Sequence, residues 1–144
     1  MYEDYSNQAL PSRDYRELLG SALCVFNANN SFVIENIIND KEYDTFNWHQ
    51  LIDKESGQLK SEIEKTISKE YDNNIATLFS EVVEMRNRII HSFQITDKSG
   101  KQVLATKSKV KDGNKQFVIT QEYLLDFIKK NEILSNALHE FREF

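Results

Sequence analysis

Cysteine occurs once in this chain, at Cys24, so no disulfide can form within it, and the expectation is a protein of the reducing cytoplasm. Proline also occurs once and glycine four times in 144 residues. That scarcity fits a mainly helical globular fold better than a β-sandwich or a disordered tail. No apolar run approaches the roughly 20 residues of a membrane span, and Met1-Tyr-Glu-Asp-Tyr5 is acidic where a secretory signal is basic. No membrane partner is expected. Positive charge is short overall: the formal charge is −5 and the pI is near 5.2. This balance argues against a protein that coats nucleic acid, whose affinity comes from neutralising phosphates.

What is present is unevenly placed. Six of the lysines (98, 101, 107, 109, 111 and 115) fall between Asp97 and Lys115 against two aspartates, so that stretch is +4 and the remainder −9. At 144 residues the chain reads as a single domain with room for a real core.

Residues 1–11 read as a flexible polar arm closed by Pro11, after which Ser12 can cap a helix with Asp14 and Glu17 in its first turn. The apolar positions Tyr15, Leu18, Leu19, Ala22, Leu23 and Phe26 form its stripe, and Phe32 to Ile38 continue it. The intervening Asn27-Ala-Asn-Asn-Ser31 contains no Gly or Pro, so one long helix is predicted, with its asparagines either framing a site or wetting the surface. Cys24 reads as small core filler. A turn at Asn39 to Tyr43, a short segment around Phe46 to Ile52, a break at Ser56-Gly57 and a weak helix to about Glu70 follow. Asp72 or Asn73 can cap the next helix, read from about Asn74 to Phe93 on the stripe Ile75, Leu78, Phe79, Val82, Val83, Ile89, Ile90, Phe93.

Beyond it the period changes from helical to alternating, at 94–95, 101–111 and 116–120, with turn signals at Asp97-Lys-Ser-Gly100 and Asp112-Gly-Asn114. Lys107, Lys109 and Lys111 would point one way from the middle strand. Thr120 can then cap a last helix. The predicted order is four or five helices with a small β-hairpin or meander (about 94–120) inserted before the last.

The stretch that carries chemistry is Arg86-Asn-Arg-Ile-Ile-His91. On a helix Asn87 and His91 lie one turn apart, and Arg86 is about 140° round from His91, within reach of a long side chain. A guanidinium, an amide and an imidazole can then meet one phosphate. No His, Cys or carboxylate spacing suits a metal, His49 and His139 read as surface or interface residues, and no phosphate-binding glycine loop is present. Read without any relative, His91 could simply satisfy the helix end, Arg86 could pair with Glu81 or Glu84, and the lysines could be a solvated edge hairpin.

An Arg followed by a polar residue, with a His a few positions on at the end of an apolar helix, resembles the R-x4-to-6-H signature of the HEPN family. The resemblance implies an up-and-down helical bundle that forms a homodimer, so that two motifs face each other. It implies a metal-independent endoribonuclease without cofactor, with Arg86, Asn87 and His91 as catalytic residues and Lys107, Lys109, Lys111 and Arg88 contacting RNA. Toxin or phage-defence biology, with an antitoxin or defence-system partner, follows from the family alone. One family subset carries a modified Tyr two residues past the His, where this chain has Phe93. The competing expectations are a catalytically silent HEPN-like module that binds nucleic acid or nucleotide, and a helical protein-interaction or dimerisation domain.

Overall fold

The computed structural model describes residues 7–38, 48–52, 54, 58–70, 74–108, 113 and 115–143. Within it α1 (Arg13–Ile38) runs without interruption through the asparagine-rich interval. Its first turn is held by Ser12, whose Oγ accepts the Tyr15 N–H at 3.2 Å. Burial recurs at Ala22, Phe26, Asn29, Val33 and Ile37, the three-and-four spacing of one helical stripe. Cys24 falls opposite that stripe and is exposed, so it fills no core. Asn29 is a second correction. It neither frames a site nor wets the surface, but donates to the Asn131 backbone carbonyl at 2.8 Å and to Asn131 Oδ1 at 3.1 Å in the interior.

The short helices α2 (Trp48–Ile52), α3 (Leu59–Lys65) and α4 (Ile67–Glu70) follow. The weak helix expected to reach Glu70 is broken at Thr66, whose ψ of −82° leaves helical geometry while its Oγ1 bonds back to the Glu62 carbonyl. The turn at Asn39 to Tyr43, Phe46, the Ser56-Gly57 break and the Asp72/Asn73 cap lie outside the described residues.

Helices α5 (Asn74–Ile90) and α6 (Gln121–Glu143) complete the helical layer. Thr120 Oγ1 caps α6 by accepting the Tyr123 N–H at 3.0 Å. Helix α6 packs against both α1 and α5. Phe26 and Phe127 stack across the α1–α6 contact with centroids 6.2 Å apart, and the buried Phe79 of α5 belongs to the same core. Each such side chain contributes about 1.5–3 kcal/mol by leaving water.

Between α5 and α6 stands an antiparallel sheet of β1 (Phe93–Thr96), β2 (Gln102–Lys107) and β3 (Gln116–Ile119), in the order β1-β2-β3. The protein is therefore mainly helical with a small three-stranded sheet before the last helix. The first turn is closed by the Asp97 N–H to Lys101 carbonyl bond at 2.8 Å, with Gly100 at φ +86°, where a Cβ would be strained. Asp97 Oδ1 accepts from the Ser99 hydroxyl and from the Lys101 and Ser99 N–H groups, which holds its carboxyl below the usual range.

Two anchors join the sheet to the helices. The Tyr15 hydroxyl donates to the Ile119 carbonyl at 2.5 Å and accepts the Leu104 N–H at 3.3 Å. Gln94 Nε2 donates to the Ala9 carbonyl at 2.7 Å, so the arm is tied to the sheet from its described residues onward rather than hanging free. Leu104, Phe117 and Ile119 belong to the core side of the sheet.

Candidate functional site

Helix α5 ends three residues earlier than its apolar periodicity predicts. The His91 N–H still reaches the Asn87 carbonyl at 2.9 Å, but the Ser92 N–H and hydroxyl both turn back onto the Ile89 carbonyl, at 3.3 and 2.6 Å. Two bonds onto one carbonyl tighten the last turn and stop the helix. Phe93 therefore leaves the helical stripe and starts β1, opposite Ala105. His91 sits at the junction, exposed.

The motif residues share this end of α5 but face differently. Arg86 is half-buried, with its guanidinium carbon 5.1 Å from the centroid of the Phe26 ring of α1. Asn87 is also half-buried, and the His91 imidazole makes no hydrogen bond or ion pair with the described residues. Within one chain the Arg86 head lies on the α1 side, and no contact brings it to His91. Of the neighbouring carboxylates, Glu84 lies 3.3 Å from Arg88 Nε and Glu81 lies 3.8 Å from Lys130 Nζ.

Arg88, expected as an RNA contact, is engaged on both sides. Besides the Glu84 carboxylate, which it meets as an ion pair rather than in hydrogen-bond alignment, its Nη1 donates to the Lys107 carbonyl. That bond fastens the end of β2 to α5. Lys107 is exposed on β2, whereas Lys109 and Lys111 lie outside the described residues. Lys107 pairs with Gln116 on the β3 side and lies two residues past the last β1 pair, Phe93 with Ala105.

Tyr123 closes the inner side of this region. Its hydroxyl donates to the Met85 carbonyl at 3.4 Å, and burial, reinforced by the Glu84 charge, pushes its pKa up to about 12. His139 is exposed and packs on Phe32, with ring centroids 4.7 Å apart, in keeping with a surface role. The side chain of His49 lies outside the described residues.

Sequence periodicity missed the exposure of Phe93, because it placed that residue in a helix. The usable signal was the Asp97–Gly100 turn: once Asp97 pairs with Lys101, register puts Phe93 opposite Ala105 and exposes 45% of the phenylalanine beside His91. A cleft of about 740 Å³ opens further along the sheet between Leu10, Tyr15, Lys101, Val103 and Val118. A second hollow of about 750 Å³, beside Lys54 and Glu62, contains none of the motif residues.

Among the described residues no three His, Cys, Asp or Glu side chains stand together as a metal site, and no helix is long and apolar enough to cross a membrane. Comparison with protein-family models, curated proteins and solved structures finds no match to this chain.

Proposed function

We propose that the protein is a HEPN-type endoribonuclease whose working site is assembled from the α5 C-termini of two copies. The observation that carries this reading is the exposed His91 imidazole at the helix end, without a hydrogen bond or ion pair among the described residues, one turn beyond Asn87 and beside the Arg86 turn. Such a group is available to a substrate, and imidazole is the side chain suited to proton transfer near neutral pH.

In the reaction the ribose 2′-oxygen attacks the adjacent phosphorus while its proton passes to one His91. The 5′-oxygen of the next nucleotide leaves and takes a proton from His91 of the partner subunit. The products are a 2′,3′-cyclic phosphate and a 5′-hydroxyl. Arg86 neutralises the phosphorane through its planar fork, and Asn87 orients the imidazole or the sugar. Reaching that phosphate requires the Arg86 head to swing off Phe26, a contact worth about 0.5–1 kcal/mol, which substrate binding can offset.

The same Phe26 contact favours the second reading, a catalytically silent RNA-binding module in which Arg86 is a packing residue. Cleavage of a mixed RNA in EDTA by wild type, Arg86→Ala and His91→Ala separates the two. The first reading expects cyclic-phosphate ends from wild type and a loss of about 10²–10⁴-fold for His91→Ala, the usual worth of a general acid–base. Folded wild type that binds RNA without cleaving it, or cleavage unchanged in both variants, refutes it.

A further inference from the structure

The cross-strand register places Phe93, Ala105 and Val118 in one row and Ile95 and Val103 in the next, all on the sheet face opposite the core-packed Leu104, Phe117 and Ile119. Phe93 is 45% exposed and Val118 40%, with the buried Ala105 between them, and at Val103 and Val118 this face borders the cleft lined by Leu10, Tyr15 and Lys101. Alternation along β2 puts Lys107 on this same face at one end, and Lys101, beyond the strand, continues the alternation at the other. The two lysines are about 20 Å apart along the strand. Asp97, opposite Lys101, offsets part of the charge at that end, whereas Lys107 has no acidic residue across from it, its register partner being Gln116. The face begins two residues after His91.

We infer that this sheet face is a stacking platform for single-stranded RNA, with Phe93 receiving a base and Lys107 and Lys101 the flanking phosphates. The inference rests on the nuclease reading for its interest in RNA, but names a surface outside the Arg86–His91 motif. An aromatic plane flanked by cations is what binds unpaired nucleic acid, since every base has a face to stack and every linkage a charge to neutralise. Size points the same way. The two rows span two inter-strand steps, about 10 Å, by about 7 Å along the strand, which matches one or two bases and is far below the roughly 800 Å² per partner of a stable protein interface. The charge fits as well: the platform is flanked by the one lysine-rich stretch of a chain that is otherwise net acidic.

The test uses Phe93→Trp, which puts an indole on the platform, and Phe93→Ala, both in the full chain, with a fluorescently labelled RNA 12-mer as probe and His91→Ala added to prevent cleavage. Stacking quenches the new indole emission on RNA addition, with Trp48 emission in the parent protein as the background. Phe93→Ala weakens binding about ten-fold, the loss of one stacked base. Lys107→Gln lowers the slope of log affinity against log salt by about 0.7, the value for one phosphate on a single strand. RNA binding that leaves the indole unquenched and is unaffected by Phe93→Ala overturns the inference while the nuclease reading can still stand on its cleavage assay. Quenching and weakened binding in a protein that never cleaves keeps the platform and removes the nuclease. Indole emission that shifts with protein concentration alone shows a second copy on this face, and also overturns the inference.

Discussion

Removing one oxygen from Tyr15 should loosen the whole sheet from the helices. Its hydroxyl stands between the Ile119 carbonyl and the Leu104 N–H, and these two residues are register partners across β2 and β3. Tyr15→Phe keeps the ring, which is only 5% exposed, so no cavity opens and the change isolates the two hydrogen bonds. A buried donor or acceptor left unmade costs about 1–3 kcal/mol, giving about 2–6 kcal/mol for the pair. Direct closure of the Leu104 N–H onto the Ile119 carbonyl would recover part of this, so about 2 kcal/mol is expected. With a urea m-value of about 1.5 kcal/mol/M that is a midpoint lowered by about 1.3 M. By thermal unfolding it is a drop of about 7 °C for a chain of this size. Hydrogen exchange at the Leu104 amide should accelerate by more than at the α1–α6 contact. A midpoint within about 0.3 M of wild type, with Leu104 still protected, would refute the idea that this hydroxyl anchors the sheet.

Asn29→Ala should cost about 2–3 kcal/mol, because the Asn131 oxygens lose their donor in the interior, while Asn29→Leu/Asn131→Leu should cost less than the single change; urea midpoints of the three proteins decide this. Arg88→Ala frees the Lys107 carbonyl and should cost about 1 kcal/mol, read as faster amide exchange at the end of β2 with little change in α1. His91→Ala should unfold within about 0.5 kcal/mol of wild type, since the imidazole is exposed and makes no hydrogen bond or ion pair among the described residues, so any loss of cleavage in it is chemical. In alkali the buried phenols of Tyr15 and Tyr123 hold their protons more tightly when folded. Their contribution is complete below pH 10 and is lost as pH rises above it, toward about 12 for Tyr123; unfolding midpoints and phenolate absorbance followed together should report it. Phenolate formation at its ordinary pH in the folded protein would contradict that burial.

The local pattern of the chain by itself determined the long α1 through its polar interval, the caps at Ser12 and Thr120, and the Asp97–Gly100 turn of the sheet. Each of these depends on residues within a few positions of one another: a missing Gly or Pro, a hydroxyl three residues before an N–H, a glycine where φ is positive. It also marked Arg86, Asn87 and His91 as sharing one helix end, since 3.6 residues per turn requires it. Periodicity alone went wrong where two structures suit the same residues. Ile90 to Phe93 continues an apolar helical stripe, yet the pairing of Phe93 with Ala105, 12 positions away, draws it into a strand. Cys24 has the composition of core filler, and only the direction from which α6 approaches α1 leaves it outside. Asn29 became an interior residue because Asn131, about a hundred positions on, arrived with the acceptors it needed. Tertiary structure likewise decided that Arg88 is fastened to the β2 carbonyl, that Arg86 leans on Phe26, and that Phe93 faces outward beside His91. These facts depend on which distant surfaces meet, and a one-dimensional pattern carries the period of an element but not the neighbour its faces will find.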